Sequence, residues 1–264
     1  MSSDHPAPRV IRTGEGFWNI RGSFKLGGVV DLGTQASLVR RASGRFVLLD
    51  GCPLTDDARR WILELTDGGS AVEAILHVHP FHTLHVRRAR ELFPEAKLYG
   101  TARHVTMFED LPWERPRTED PGLHEMFADD LDFSVPRGVD FIPSNENLHF
   151  SSVLVFHRAS RTLHVDDTLL YIPMPKPVRA LKADVLRFHP TLSKVLERRA
   201  GAAEDFRRWA RGLVAQARDV DNLCAAHSAA LLGRDNPGSS VWARIEAALD
   251  KVEGTLRAHE RAHG

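Results

Sequence analysis

Ala71-Val-Glu-Ala74-Ile-Leu76-His77-Val-His79-Pro80-Phe81-His82-Thr83-Leu84-His85 sets four histidines within nine residues, directly behind a short apolar run. The run, Ala71 to Leu76, reads as a buried strand, being short, apolar and preceded by Gly68-Gly69. Neutral imidazole can offer a lone pair to a metal ion at about 2.0–2.2 Å. Residues two apart on an extended chain point to the same side, so His77 and His79 can grip one ion together. Pro80 then turns the chain, and a helix from about Thr83 to Phe93, ended by Pro94, lets His82 reach back from its start. His85, one helical turn further on, suits a supporting place beside the ligands or a surface position.

Upstream, residues 1–14 are polar and proline-containing and read as a loose tail. Phe17 to Asp50 mixes β-formers with turn signals at Gly27-Gly28 and Ser43-Gly44, which predicts antiparallel strands and a hairpin, ending in a carboxylate at Asp50. Thr55-Asp56-Asp57 predicts a helix start, because a Thr cap and acidic first turn satisfy free amides and the helix dipole. Ala58, Trp61, Ile62 and Leu65 then share one face.

Downstream comes a short strand at Lys97–Gly100 and a stretch over 109–136 rich in acid and proline, read as a lid, a rim or a solvated connection. Strands are expected at Val139–Ile142, Ser151–His157, Thr162–Asp166 and Leu169–Ile172, with a turn at Arg158–Arg161. Helices follow at about Ala202–Arg218 and Ser240–Ala258, separated by the apolar strand Asn222–Ala226 that leads to His227. The late stripe Val241, Ile245, Leu249, Val252, Leu256 fits outside packing or a homodimer contact. The rhythm is α/β, with 15–264 read as one domain.

Composition sets limits on partners. The chain has 264 residues, 42% hydrophobic and 27% charged, with Lys+Arg and Asp+Glu equal at 35 each. No overall field draws in nucleic acid or an anionic membrane. No stretch approaches the roughly 18 apolar residues of a membrane span, and the start has no basic-then-apolar leader, so a cytoplasmic location is expected. Cys52 and Cys224 are too few for a disulfide scaffold.

The motif His77-x-His79-x-Phe81-His82 resembles the H-x-H-x-D-H signature of the metallo-β-lactamase-fold hydrolases, with Phe81 in place of its aspartate. The likeness runs on through Arg45-Phe-Val-Leu-Leu-Asp50-Gly51, His149 before the strand to His157, Asp167 after Thr162-Leu-His164-Val-Asp166, and His227 after Leu223-Cys-Ala-Ala. It implies a four-layer αββα sandwich. It implies a first metal held by His77, His79 and His149, a second by His82 and His227, and Asp167 bridging, with Asp166 as its rival. Asp50, His85 and His164 would support the ligands. The expected ion is zinc, one or two per chain, with iron as the other candidate.

The activity so implied is hydrolysis of an ester, lactone or thioester in a small molecule. Phe81 cannot ligate a metal, and Asn147-Leu148, Ala225-Ala226 and Ser228 replace the residues the family usually carries beside its later histidines. The competing expectations are a non-catalytic metal-binding or structural member of the superfamily, and an iron-dependent oxidoreductase on the same fold.

Overall fold

The computed structural model describes residues 7–26, 30–174, 184–227, 229–236 and 238–264. The expected turn at Gly27-Gly28 and the residue Ser228 lie outside them. The chain forms two compact units, Met1–Asp132 with His157–Thr162, and Phe133–Phe156 with Leu163–Gly264.

The first unit is built on a sheet whose order begins with β1 (Val10–Gly14) and β2 (Phe17–Gly22). After a two-residue ribbon of β3 (Lys25–Leu26) and β4 (Val30–Asp31), the sheet continues with β5 (Thr34–Arg40), β6 (Phe46–Leu49), β7 (Val72–Leu76) and β8 (Lys97–Tyr99). Its first four strands are antiparallel neighbours, and β6, β7 and β8 are parallel. The predicted hairpin joins β5 to β6, with Gly44 at φ 84°, a conformation that glycine adopts without steric cost. Residues 10–14, expected in the loose tail, instead form β1, because Val10, Ile11 and Arg12 pair across to Ile20, Asn19 and Trp18.

The two parallel pairings need crossovers, and helices supply them. The first, α1 (Asp56–Leu65), is capped as predicted, Thr55 Oγ1 accepting from the Ala58 amide at 3.2 Å, and it buries Ala58, Trp61 and Ile62. The second, α2, spans Val86–Leu92 and starts three residues later than expected. Before it the chain runs through tight turns, with hydrogen bonds from the His82 amide to His79 O, from the Thr83 amide to Phe81 O and from the Val86 amide to Thr83 O. His85 therefore precedes α2 and does not lie on it, which corrects its predicted place one helical turn beyond His82.

Beyond β8 come α3 (Ala102–Met107) and, inside the proline-rich stretch, α4 (Pro121–Met126) and β9 (Leu131–Ser134). This unit's core gathers Trp18, Ile20, Leu38, Leu48, Trp61, Ile62 and Phe93.

In the second unit β9 edges a sheet of order β15-β14-β11-β10-β9, with β10 at Leu154–His157, β11 at Thr162–His164, β14 at Asn222–Cys224 and β15 at Ala230–Leu231. A separate antiparallel pair joins β12 (Leu169–Ile172) to β13 (Val185–Phe188). The strand expected at Val139–Ile142 does not form; Val139 makes only an isolated bridge to Leu196. The expected strand from Ser151 begins at Leu154, because the Ser152 amide and hydroxyl turn to the Thr168 hydroxyl, at 3.1 and 2.9 Å.

Among the described residues three helices complete this unit, α5 (Leu192–Val195), α6 (Ala202–Gln216) and α7 (Val241–His263). The stripe on α7 buries Val241, Ile245, Leu249 and Leu256 in this unit's own core with Phe150, Tyr171 and Phe206, so intramolecular packing uses it. Arg207, 8% exposed, ties α6 to α7 through Glu253 and Glu260, at 3.1 and 2.9 Å. Among the described residues no helix is long and apolar enough to cross a membrane.

Candidate metal centre

The histidine stretch leaves β7 at Leu76, so His77 and His79 stand in the loop after the strand, not within it. His77 is fully buried, its amide donates to Tyr99 O at 2.9 Å, and its carbonyl accepts from Thr118 Oγ1 at 2.9 Å. Both ring nitrogens of His77 are buried and make no hydrogen bond. Burial, and secondarily the charge of a protonated His82, push its pKa down to about 3, so the ring is neutral at ordinary pH. Asp50 Oδ1 lies 3.8 Å from Nδ1, too far for a hydrogen bond, and with a neutral ring the pair is not a salt bridge.

Asp50 itself ends β6 at φ 56°, fully buried, and accepts from the Val78 amide at 3.0 Å. A non-glycine residue in the left-handed region is a small local strain, and here it turns a carboxylate onto the backbone of the histidine loop.

His79 stacks on His82 with ring centroids 4.0 Å apart and planes at 16°, and a ring nitrogen of each lies within 4.8 Å of one on the other. The Phe81 amide donates to His79 Nδ1 at 3.0 Å. The Phe81 ring, 9% exposed, stands edge-on to His79 at 6.2 Å, and the Arg103 guanidinium sits over its face at 4.7 Å from the centroid. Where an aspartate would bring a negative charge, the loop therefore has an aromatic ring topped by a cation. His85, partly buried, has its pKa lowered by burial and by Arg88.

In the second unit Asp167, 1% exposed, places Oδ1 at 3.1 Å from His227 Nε2 and Oδ2 at 4.0 Å from His149 Nδ1. The other nitrogen of His149 lies 2.6 Å from Glu146 O, which favours a proton on Nε2 and a lone pair on Nδ1. Asp166 points elsewhere, Oδ1 lying 3.6 Å from His164 Nε2, with both side chains fully buried. Three residues scattered over the sequence at 149, 167 and 227 are thus gathered within this unit, and Asp166 and His164 form a separate pair.

Two histidines near these groups escaped sequence reasoning. His104, fully buried on α3, has its ring 5.1 Å from that of His77 and hydrogen-bonds Thr101 Oγ1 at 2.9 Å; burial holds its pKa well below the usual histidine range. His189 hydrogen-bonds Thr191 Oγ1 at 2.7 Å, and its pKa is lowered by burial against the opposing pull of Asp167. Each is a lone histidine in the sequence with no spacing to mark it. Arg103 was missed for the same reason.

Compared by sequence, the chain matches no family model and no curated protein. Compared by structure, it is similar to TMB-1, over 94% of this chain and 99% of that one, at 12% identity and a TM-score of 0.59. It is similar to a metallo-β-lactamase from Erythrobacter litoralis, over 92% and 97%, at 13% identity and 0.58. It also resembles the metallo-β-lactamase FIM-1 from Pseudomonas aeruginosa in its mono-zinc form, over 95% and 98%, at 11% identity and 0.57. The chain has the α/β metallo-β-lactamase fold.

Proposed function

We propose that the chain is a metal-dependent hydrolase that cleaves an ester, lactone or thioester bond in a small molecule. Its proposed ligands for the principal ion, zinc, are His77, His79, His149 and Asp167, with His82 and His227 providing a weaker second position. One observation carries the reading: His77 is a fully buried imidazole with no hydrogen bond on either nitrogen. An orphaned buried ring costs stability unless something else engages its lone pair, and a metal ion does. A bound zinc ion supplies a water of pKa about 7 and a Lewis acid for a carbonyl.

The chain's own residues have definable tasks in this reading. Burial keeps His77 neutral, so a lone pair is available without deprotonation. Asp50 and Thr118 hold the backbone on which His77 and His79 are displayed, through the Val78 amide and the His77 carbonyl. Asp167, buried and next to His227, is the carboxylate suited to orienting an attacking water and receiving its proton. Arg103 brings a positive charge beside the histidine loop, which supports one strongly held ion per chain and a substrate with a partial or full negative charge near Phe81.

The same feature favours a second reading, in which the chain binds metal without catalysing hydrolysis. Protein purified without added metal is expected to carry about one zinc per chain by elemental analysis, reduced in His77→Ala, and to cleave at least one model ester, lactone or thioester, with His79→Ala inactive. Bound zinc with no cleavage selects the non-catalytic reading, and bound iron a redox one. No transition metal in the purified protein, with no effect of His77→Ala, removes them all. The two cysteines are both free and buried, which supports a reducing, cytoplasmic setting as part of the proposal.

A further inference from the structure

We propose that the first unit carries a binding site of its own, separate from the histidines, for an unbranched carboxylate of about eight carbons. A cavity of about 290 Å³ lies between the face of the β2–β5–β6 strands and the helices α1 and α2. Ile20 and Leu48 from the sheet, Ile62 from α1 and Phe93 after α2 line it, and none is more than 4% exposed. These four form its floor, and the partly exposed Leu54 and Leu92 flank the space above them, so the site opens to solvent on one side. The volume lies at the lower end of small-molecule pockets, roughly 300 Å³, and holds on the order of ten water-sized atoms. Octanoate has that many non-hydrogen atoms.

The mouth sets the charge of the ligand. Arg59 on α1 and Arg88 on α2 both line the cavity and are exposed. Neither guanidinium has a hydrogen-bond or ion-pair partner among the described residues, whereas Arg87 next to Arg88 is held by Asp110 at 2.6 Å. Glu91 also borders the opening, so the rim carries two positive charges and one negative. Apolar walls beneath a net positive rim select a tail with an anionic head. A neutral alcohol leaves the arginines unused, and an ammonium is repelled.

Cys52 completes the wall. Its thiol contacts Ile20 O at 3.8 Å, and burial pushes its pKa up to about 12, so it is a neutral lining group that does not attack the ligand. Binding is reversible and non-covalent.

Calorimetric titration of the full chain tests this, after chelator treatment so that no metal is left to take the carboxylate. Sodium octanoate is expected to bind at one site, roughly tenfold more tightly than 1-octanol, and octylammonium not to bind. The Arg59→Glu/Arg88→Glu variant should lose roughly tenfold in octanoate affinity or more and keep its octanol affinity. Ala89→Phe, which fills the cavity from α2, should abolish both; should it fail to fold, the arginine pair decides. His77→Ala should bind octanoate as the parent does. The proposal is overturned by absent or unsaturable octanoate binding, by equal affinity for octanoate and octanol, by indifference to the arginine reversal, or by loss of binding in His77→Ala.

Discussion

In the proposed metal-binding reading, Phe81 is the residue that sets the metal stoichiometry. Its ring cannot ligate, and it also gives Arg103 a surface to lie on, 4.7 Å from its centroid, so a positive charge accompanies the loss of a negative one. A dication binding near His79 and His82 must contend with that cation, whose repulsion in a partly buried setting is on the order of a few kcal/mol. Restoring the carboxylate alone is then insufficient, because Arg103 is placed to pair with it. Phe81→Asp is expected to raise bound zinc only slightly above one per chain, and Phe81→Asp/Arg103→Ala to approach two. Elemental analysis after equilibration with excess zinc and desalting checks this; equal stoichiometry in the two variants would remove Arg103 from the account.

Single positions also matter inside the elements, and two glycines make opposite predictions. Gly138 has φ 70°, and a Cβ there would lie 2.0 Å from Ala202 O and 2.9 Å from the Phe206 amide nitrogen, backbone atoms at the start of α6 that cannot step aside. Gly138→Ala should cost about 2 kcal/mol or more in urea unfolding, combining left-handed strain with overpacking. Gly254, in the middle of α7, is exposed and its Cβ would meet nothing within 4 Å. Gly254→Ala should add roughly 0.5–1 kcal/mol, since alanine loses less backbone entropy in a helix. The Arg207 links between α6 and α7 remain untouched by the second change, so its gain should appear in full.

For the molecule as a whole, acid is the expected weak point. His157 is 1% exposed, its Nδ1 lies 2.8 Å from Ser160 Oγ, and burial pushes its pKa down to about 4. The folded pKa lies below the unfolded value of about 6.5, so the unfolded chain binds the proton first. This contribution is therefore fully present above pH 6.5 and is lost as pH falls from 6.5 to about 4. It amounts to about 2 kcal/mol between pH 7 and 5. In metal-free protein His77, neutral down to about 3, acts in the same direction. Urea midpoints at pH 7 and 5 should show the loss, and His157→Gln should reduce the pH dependence even if it weakens the protein at pH 7. An unchanged slope in that variant would count against the assignment.

The sequence by itself determined the features that rest on local patterns. The spacing of His77, His79 and His82 behind an apolar run, the Thr55 cap and the Ser43-Gly44 turn were all readable, because periodicity and turn chemistry act over a few residues. The resemblance carried by the histidine motif extended this to the fold and to the order of His149, Asp167 and His227. Only the tertiary structure decided what depends on burial and on distant neighbours. It placed Asp167 rather than Asp166 beside His227 and His149, and left His85 ahead of α2. It brought His104 to His77 and Arg103 onto Phe81. It also stripped water and hydrogen bonds from His77. Desolvation and charge proximity are three-dimensional quantities, and no spacing along the chain encodes them.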